Sequence, residues 1–228
     1  MLRQLLIVLS VAALTFSGVV LVHSIDADTT WNGSNGYKIY LSPATHAPYS
    51  GSNPNYGCDS HNENYWAAEL GWTAAAGAGT DLVARGYSVR LGNSGYVTNK
   101  NSSNSWGADY HIPLHSNAPG STSQWDCTAP YDLSYSASGT LLLYYPGSSG
   151  GAGMSDNLVY TVGGSSPGYG TDKKISSTCC TEITGTTAYA AYLESGFHTF
   201  NPDQDWLQDE SSWGWRVGWG VDRYLGYP

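Results

Sequence analysis

Basic side chains are scarce in this sequence. Nine Lys and Arg stand against 18 Asp and Glu, giving a formal net charge of -9 over 228 residues. So acidic a chain offers no positive patch for phosphates, which argues against nucleic acid as a partner. It is also weakly repelled by anionic polymers, so recognition has to come from a shaped site rather than from charge. No Cys-x-x-Cys pair is present, which argues against a structural metal held by cysteines. Apart from one run near the start, no apolar stretch is long enough to span a membrane. Internal repeats and a convincing interdomain linker are also missing; the Gly/Ser-rich stretch from Gly147 to Gly153 is too short to be one. What is plentiful is apolar side chain, 41% of the residues, enough for the core of one domain of ordinary size.

The apolar exception lies at the start. Arg3 supplies a positive charge, Leu5 to Val22 run almost without polar interruption, and Val22-His23-Ser24 offers a cleavage site, with a second after Ala27. No cluster of Lys or Arg follows Val22 to stop transfer, which favours removal over a permanent anchor. The expected organisation is a signal peptide at 1–24, a polar Gly/Asn-rich leader at 25–36 and one domain at 37–228. The mature protein is expected outside the cytoplasm, with no stable membrane association. In that setting the four cysteines, Cys58, Cys127, Cys179 and Cys180, favour disulfides, with three pairings open. Adjacent Cys179 and Cys180 bond to each other only with strain and are expected to find other partners or to stay buried and reduced. A Cys58–Cys127 bridge would brace the two loops that carry the candidate site residues.

Along the chain, Tyr37 to Ser42 alternates apolar with polar and reads as a strand, followed by a long loop to about Asn62 dense in Gly, Pro, Ser and Asn. Trp66, Leu70, Ala74, Ala78 and Leu82 recur every four residues, which predicts a helix over 63–84 despite Gly71, Gly77 and Gly79. Further strands are expected at 86–91, 108–115, 141–145 and 188–193. Pro113 is awkward in the second of these. Thr98 to Ser105 reads as a short helix or a loop, Met154 to Val162 as a helix, and Trp206 to Tyr224 as mostly helical. This alternation predicts a single α/β domain with a mixed, mostly parallel sheet flanked by helices.

Ligands of open α/β sheets gather at the carboxyl ends of the strands, and three candidate residues sit there. His46 lies just past the first strand, His115 closes the third, and Glu194 closes the late strand ending at Leu193. Glu63, where the first helix begins, can reach the same place. Two imidazoles and a carboxylate make a catalytic zinc site with water in the fourth position. A second carboxylate beside that water can take its proton and hand it to a leaving nitrogen. Two His and two Glu are thus the minimum parts for metal-assisted amide hydrolysis.

The local sequences carry a resemblance. Ala108-Asp-Tyr-His-Ile-Pro-Leu-His-Ser-Asn-Ala118 resembles the "A-D … I-H-x-N-A" segment of zinc-dependent N-acetylmuramoyl-L-alanine amidases of the amidase-3 type. Leu193-Glu-Ser-Gly-Phe-His198, with Asn201-Pro202 after it, resembles that family's "E-x-G-F … N" segment. Lys38 to Pro43 with His46, and Asn62-Glu63-Asn64, resemble its opening strand with histidine loop and its first helix start. The resemblance covers roughly Tyr37 to Tyr224. It implies a phosphorylase/hydrolase-like fold, peptidoglycan as substrate, Zn2+ held by His46, Glu63 and His115, and Glu194 as the catalytic carboxylate. Secretion to the cell wall would follow. The histidine loop, Ser42-Pro43-Ala44-Thr45-His46, is one residue longer than the family's usual D-P-G-H and lacks its glycine; Glu69 is a fallback for Glu63. Pro113 replaces the usual serine or alanine.

The remaining candidates are weighed more plainly. Asn117, His198 and His111 are substrate or supporting contacts; His111 shares a strand face with His115 by the period of two, and a structural role suits it best. His61 is expected to be solvated. Glu182, in Thr181-Glu-Ile-Thr184, could approach the cleft, although it reads most simply as an exposed strand carboxylate. The aromatic tail, with Trp213, Val217, Val221 and Tyr224 at helical spacing, reads as a terminal helix packed on the sheet rather than as a glycan platform. Two other function classes compete: a peptidoglycan-binding module without catalysis, and a zinc carboxypeptidase.

Overall fold

The structure, a computed structural model, describes residues 28–43, 79, 81–92, 94–117, 138–168, 172–197, 201–207 and 210–226. Among them eight strands form one sheet: β1 Thr29–Trp31, β2 Lys38–Pro43, β3 Ser88–Leu91, β4 Tyr110–Asn117, β5 Leu141–Tyr144, β6 Lys173–Ser176, β7 Tyr189–Ala190 and β8 Tyr192–Phe197. Their order is β1-β3-β2-β4-β8-β5-β6, with β7 also alongside β4. Pairing is parallel throughout except at β1–β3 and β5–β8, which is the mixed, mostly parallel sheet expected. β1 lies within the stretch expected to be a leader, and Thr29 to Trp31 pair with Val89 to Leu91 at the sheet's edge. The signal segment falls outside the described residues, as does the predicted helix 63–84 but for Gly79 and its last turn at 81–84. No helix among the described residues is long and apolar enough to cross a membrane.

Pro113 sits inside a central strand, paired in register with Ser42 of β2. On the other side of β4 the ladder passes from β7 to β8 between the pairs His111↔Ala190 and Leu114↔Leu193. A residue without an N–H therefore falls beside a break in the pairing, which is how the sheet accommodates it.

The two faces of β4 differ in chemistry. Tyr110, Ile112 and Leu114 join Ile39, Leu41, Val89, Leu142 and Leu193 in the apolar core. Helices α2 (Ser149–Thr161) and α5 (Glu210–Leu225) close that core with Met154, Leu158, Trp213, Val217 and Val221. The last three are fully buried at the helical spacing read from the sequence. α2 begins five residues before the expected start, inside the Gly-rich stretch, capped by the Ser148 hydroxyl accepting from the Gly151 N–H. Its glycines serve close packing: a Cβ on Gly153 would lie 2.4 Å from the Tyr224 ring, and one on Gly220 of α5 would lie 2.6 Å from Thr161 Oγ1.

The opposite face is covered by α1 (Tyr96–Trp106) and the short α3 (Thr181–Thr184). α1 is rich in Asn and Ser and turns the buried Asn99 and Ser103 inward rather than apolar side chains. It stops at Gly107, whose φ of 69° closes a left-handed cap on the carbonyls of Asn104 and Ser103.

Asp203 of α4 (Asn201–Leu207) ties down the end of β8. It is fully buried, and its Oδ2 accepts from the backbone N–H groups of Gly139 at 2.7 Å and Phe197 at 2.9 Å. Burial raises its carboxyl above the usual range, only partly offset by those two hydrogen bonds. Asp203→Ala would orphan both N–H groups, an expected loss of roughly 2–4 kcal/mol in chemical denaturation. The raised carboxyl stabilises the fold fully below the ordinary carboxylate range, and that contribution is lost as pH rises through the folded value. Wild type should therefore gain stability over Asp203→Asn as pH is lowered from about 7 toward 4; a pH-independent difference would contradict a protonatable buried carboxyl.

Candidate active site

His115 and Glu194 are direct partners in the parallel pairing of β4 with β8. Neighbours in register on adjacent strands project to the same face, about 4.8 Å apart along the hydrogen-bonding direction. The two residues drawn from the sequence as ligand and catalytic carboxylate are thus brought together toward the carboxyl ends of parallel strands. Just beyond them the register shifts before Asn117 pairs with Phe197, a bulge of the kind that re-aims side chains. Asn117 is half-buried at that end. The Tyr192 ring stacks on His115 with centroids 4.5 Å apart and planes 20° apart, restricting rotation of the imidazole. His46, Glu63, Glu69, His61 and His198 lie outside the described residues, as do Cys58 and Cys127.

A carboxylate the sequence led us to place elsewhere joins this face. Glu182 is not an exposed strand residue: it is in α3 and 1% exposed. Its Oε1 lies 3.1 Å from His111 Nε2 and accepts from the Ser42 hydroxyl at 2.6 Å; its Oε2 lies 3.3 Å from His115 Nε2. His111 and His115 do share one face, as the strand period requires, and both rings meet the same carboxyl. The Tyr40 ring stacks on His111 at 5.3 Å. The network continues outward, with the Asn99 amide donating to Ser42 Oγ at 3.1 Å and the Ser94 N–H donating to Asn99 Oδ1 at 3.1 Å. Desolvation pushes the Glu182 carboxyl up, but hydrogen bonds and charge interactions with His111 and His115 outweigh it and bring the group down to about 2. An ionised carboxylate only accepts hydrogen bonds, so both Nε2 atoms donate to it. The sequence signal for Glu182 was weak: a polar Thr-Glu-Ile-Thr stretch gives no sign that its turn is folded under the sheet.

Cys180 precedes the first residue of α3 as its N-cap, and its carbonyl accepts from the N–H groups of Ile183 and Thr184. Cys179 and Cys180 are disulfide-bonded to each other, against the expectation of other partners. They sit in the outward-facing connection between β6 and α3, with no other cysteine among the described residues. The tail aromatics divide as well: Trp213 is core, while Trp215 is 46% exposed and stacks on Trp219 at 5.5 Å.

Among the described residues no group of three or more His, Cys, Asp and Glu is arranged to hold a metal ion. His111, His115 and Glu182 cluster, but their facing atoms are spent on one another. The described part of the site thus contributes one expected ligand, His115, and the expected catalytic carboxylate, Glu194.

No protein-family model matches the sequence, and no curated protein does. Solved structures do. The catalytic domain of CwlV, an N-acetylmuramoyl-L-alanine amidase from Bacillus (Paenibacillus) polymyxa var. colistinus, superposes with a TM-score of 0.62 at 18% identity, covering 84% of this chain and 99% of that one. AmiC2 of Nostoc punctiforme, also an N-acetylmuramoyl-L-alanine amidase, gives 0.62 at 14% identity over 85% of this chain and 99% of that one. The CwlD amidase of Clostridioides difficile gives 0.61 at 14% identity over 84% and 100%. The fold is that of an N-acetylmuramoyl-L-alanine amidase catalytic domain. Within this amidase fold the His115–Glu194 pair occupies neighbouring central strands.

The polar network makes a direct prediction. Ser42→Ala deprives Glu182 of one donor and Asn99 of its acceptor, both buried. It should cost about 1–3 kcal/mol in urea denaturation with the slope unchanged. A neutral result would mean that the network is not formed in solution.

Proposed function

We propose that the protein is a zinc-dependent amidase that cuts the bond between N-acetylmuramic acid and L-alanine in peptidoglycan, exported by the apolar segment at its start. The observation that carries this reading is His115 set beside Glu194 on adjacent strands of an amidase fold. His46, Glu63 and His115 would hold the ion, and the donor chemistry of His115 fits: its Nε2 is committed to Glu182, leaving Nδ1 with the lone pair. Zinc, when bound, supplies Lewis acidity toward a carbonyl oxygen and acidifies water. The protein's own part is proton transfer and placement. Glu194 takes one proton from the attacking water and delivers it to the amide nitrogen as the carbon–nitrogen bond breaks, so that the peptide leaves as an amine and the muramoyl group as a carboxylic acid. Asn117, beside this pair at the strand ends, would contact the substrate.

Zinc content of the purified protein, measured with release of stem peptides from peptidoglycan, tests the reading. One zinc per chain is expected in wild type. His115→Ala should lose both zinc and activity, whereas Glu194→Ala should keep zinc and lose about 10²–10⁴-fold in turnover. A wild type without zinc that binds peptidoglycan and leaves it uncut would instead make this a wall-binding module.

A further inference from the structure

The carboxylate beneath His115 has more to do than fill space. Glu182 is buried with His111 and His115, themselves 0% and 1% exposed, and no Lys or Arg among the described residues pairs with it. Its partners are the two imidazoles and a hydroxyl, at 3.1 Å from His111 Nε2, 3.3 Å from His115 Nε2 and 2.6 Å from Ser42 Oγ. His111 contributes only one nitrogen, since its Nδ1 is buried without a hydrogen-bond partner; its role is to anchor the carboxylate from the side opposite His115. The Ser42 hydroxyl donates to it as well and is itself held by the Asn99 amide. So many donors converge on Glu182 that the carboxylate, rather than either histidine, is the fixed point, and His115 is oriented against it.

We propose that Glu182 is the positioning residue of the metal centre: it accepts the Nε2–H of His115 and fixes that ring as the tautomer whose lone pair is on Nδ1. The proposal rests on the zinc reading of the site given above. Glu182 touches neither the ion nor the substrate and acts through His115, held in plane by the Tyr192 stack on one face. Carboxylates placed behind a ligating histidine contribute about 10–100-fold to metal affinity. A side chain that merely packed α3 against the sheet would contribute to stability and leave both tautomer and affinity unchanged.

Two measurements on the zinc-free protein separate these roles. Nitrogen-15 correlation spectroscopy of the histidine rings, with His115 assigned by its absence in His115→Ala, should show protonated Nε2 and bare Nδ1 in wild type, and a mixture of tautomers in Glu182→Ala. Competition with a chelator of known affinity should show zinc binding weakened about 10–100-fold in Glu182→Ala. Glu182→Gln, which keeps an acceptor but no charge, should fall between. The Gln variant matches the original side chain in size and carries the test if Glu182→Ala fails to fold, and circular dichroism of each metal-free variant checks the fold. Wild-type affinity in both variants, or a His115 protonated on Nδ1 in wild type, overturns the proposal while leaving the zinc site standing. Failure of the wild type itself to bind zinc overturns the reading beneath it, and does so in a different arm of the experiment.

Discussion

In the pairing of β4 with β8, His115 lies beside Glu194, and almost everything on the site face depends on that register. Side chains alternate along a strand, so a slip of one residue would send His115 into the apolar core and bring Leu114 up beside Glu194. The core prevents the slip. Ile112, Leu114 and Leu193 are all fully buried on the other face, against Leu158, Trp213 and Val217, and exchanging them for imidazoles and a carboxylate would bury unpaired polar groups. The apolar face thus sets the geometry of the polar one. Asp203 acts at the far end of the same strand, holding the backbone of Phe197 three residues past Glu194.

The polar face is unusual in how little of it is apolar. Tyr40, Ser42, His111 and His115 project from β2 and β4 toward α1 and α3, which answer with Asn99, Ser103 and Glu182. In a hydrogen-bonded network of this sort a single removal leaves several groups stranded. Ser42 has a double place in it. It closes the network on Glu182 and stands immediately before Pro43, where β2 gives way to the segment carrying His46. The network therefore fixes the point from which that segment departs.

Much of this was legible in the sequence, and the exceptions have physical causes. Period-two alternation located the central strands, and the spacing of Trp213, Val217 and Val221 located the buried face of the last helix, because burial writes its period directly into sequence. The helix α2 was read too short. Its first turn is glycine-rich, which propensity disfavours, and the compensation is close packing against Tyr224 and Tyr189 that no local pattern records. Glu182 was misplaced for a related reason. A carboxylate is nearly always exposed unless paired, and its partners lie 67 and 71 residues away. The Cys179–Cys180 disulfide was likewise set aside, because neighbours in sequence rarely bond. Pro113 was a true signal of trouble in a strand, resolved by the change of partner from β7 to β8 beside it.

Charge links the whole chain to its site. The protein carries 18 acidic against nine basic side chains, and several of the basic ones are committed at the surface: Arg85 to Asp81 and Asp222, Lys174 to Asp156, Arg223 stacked on Tyr160. None of those reaches the buried Glu182, whose partners are a hydroxyl and two imidazoles. Fold likeness at 14–18% identity extends to architecture; the chemical reading comes from the site, where Glu182 meets the Nε2 edge of His115 and a second carboxylate stands beside that ring on the next strand. Two carboxylates with different environments stand around one imidazole: Glu182 is sealed and fixed, and Glu194 is partly open to solvent.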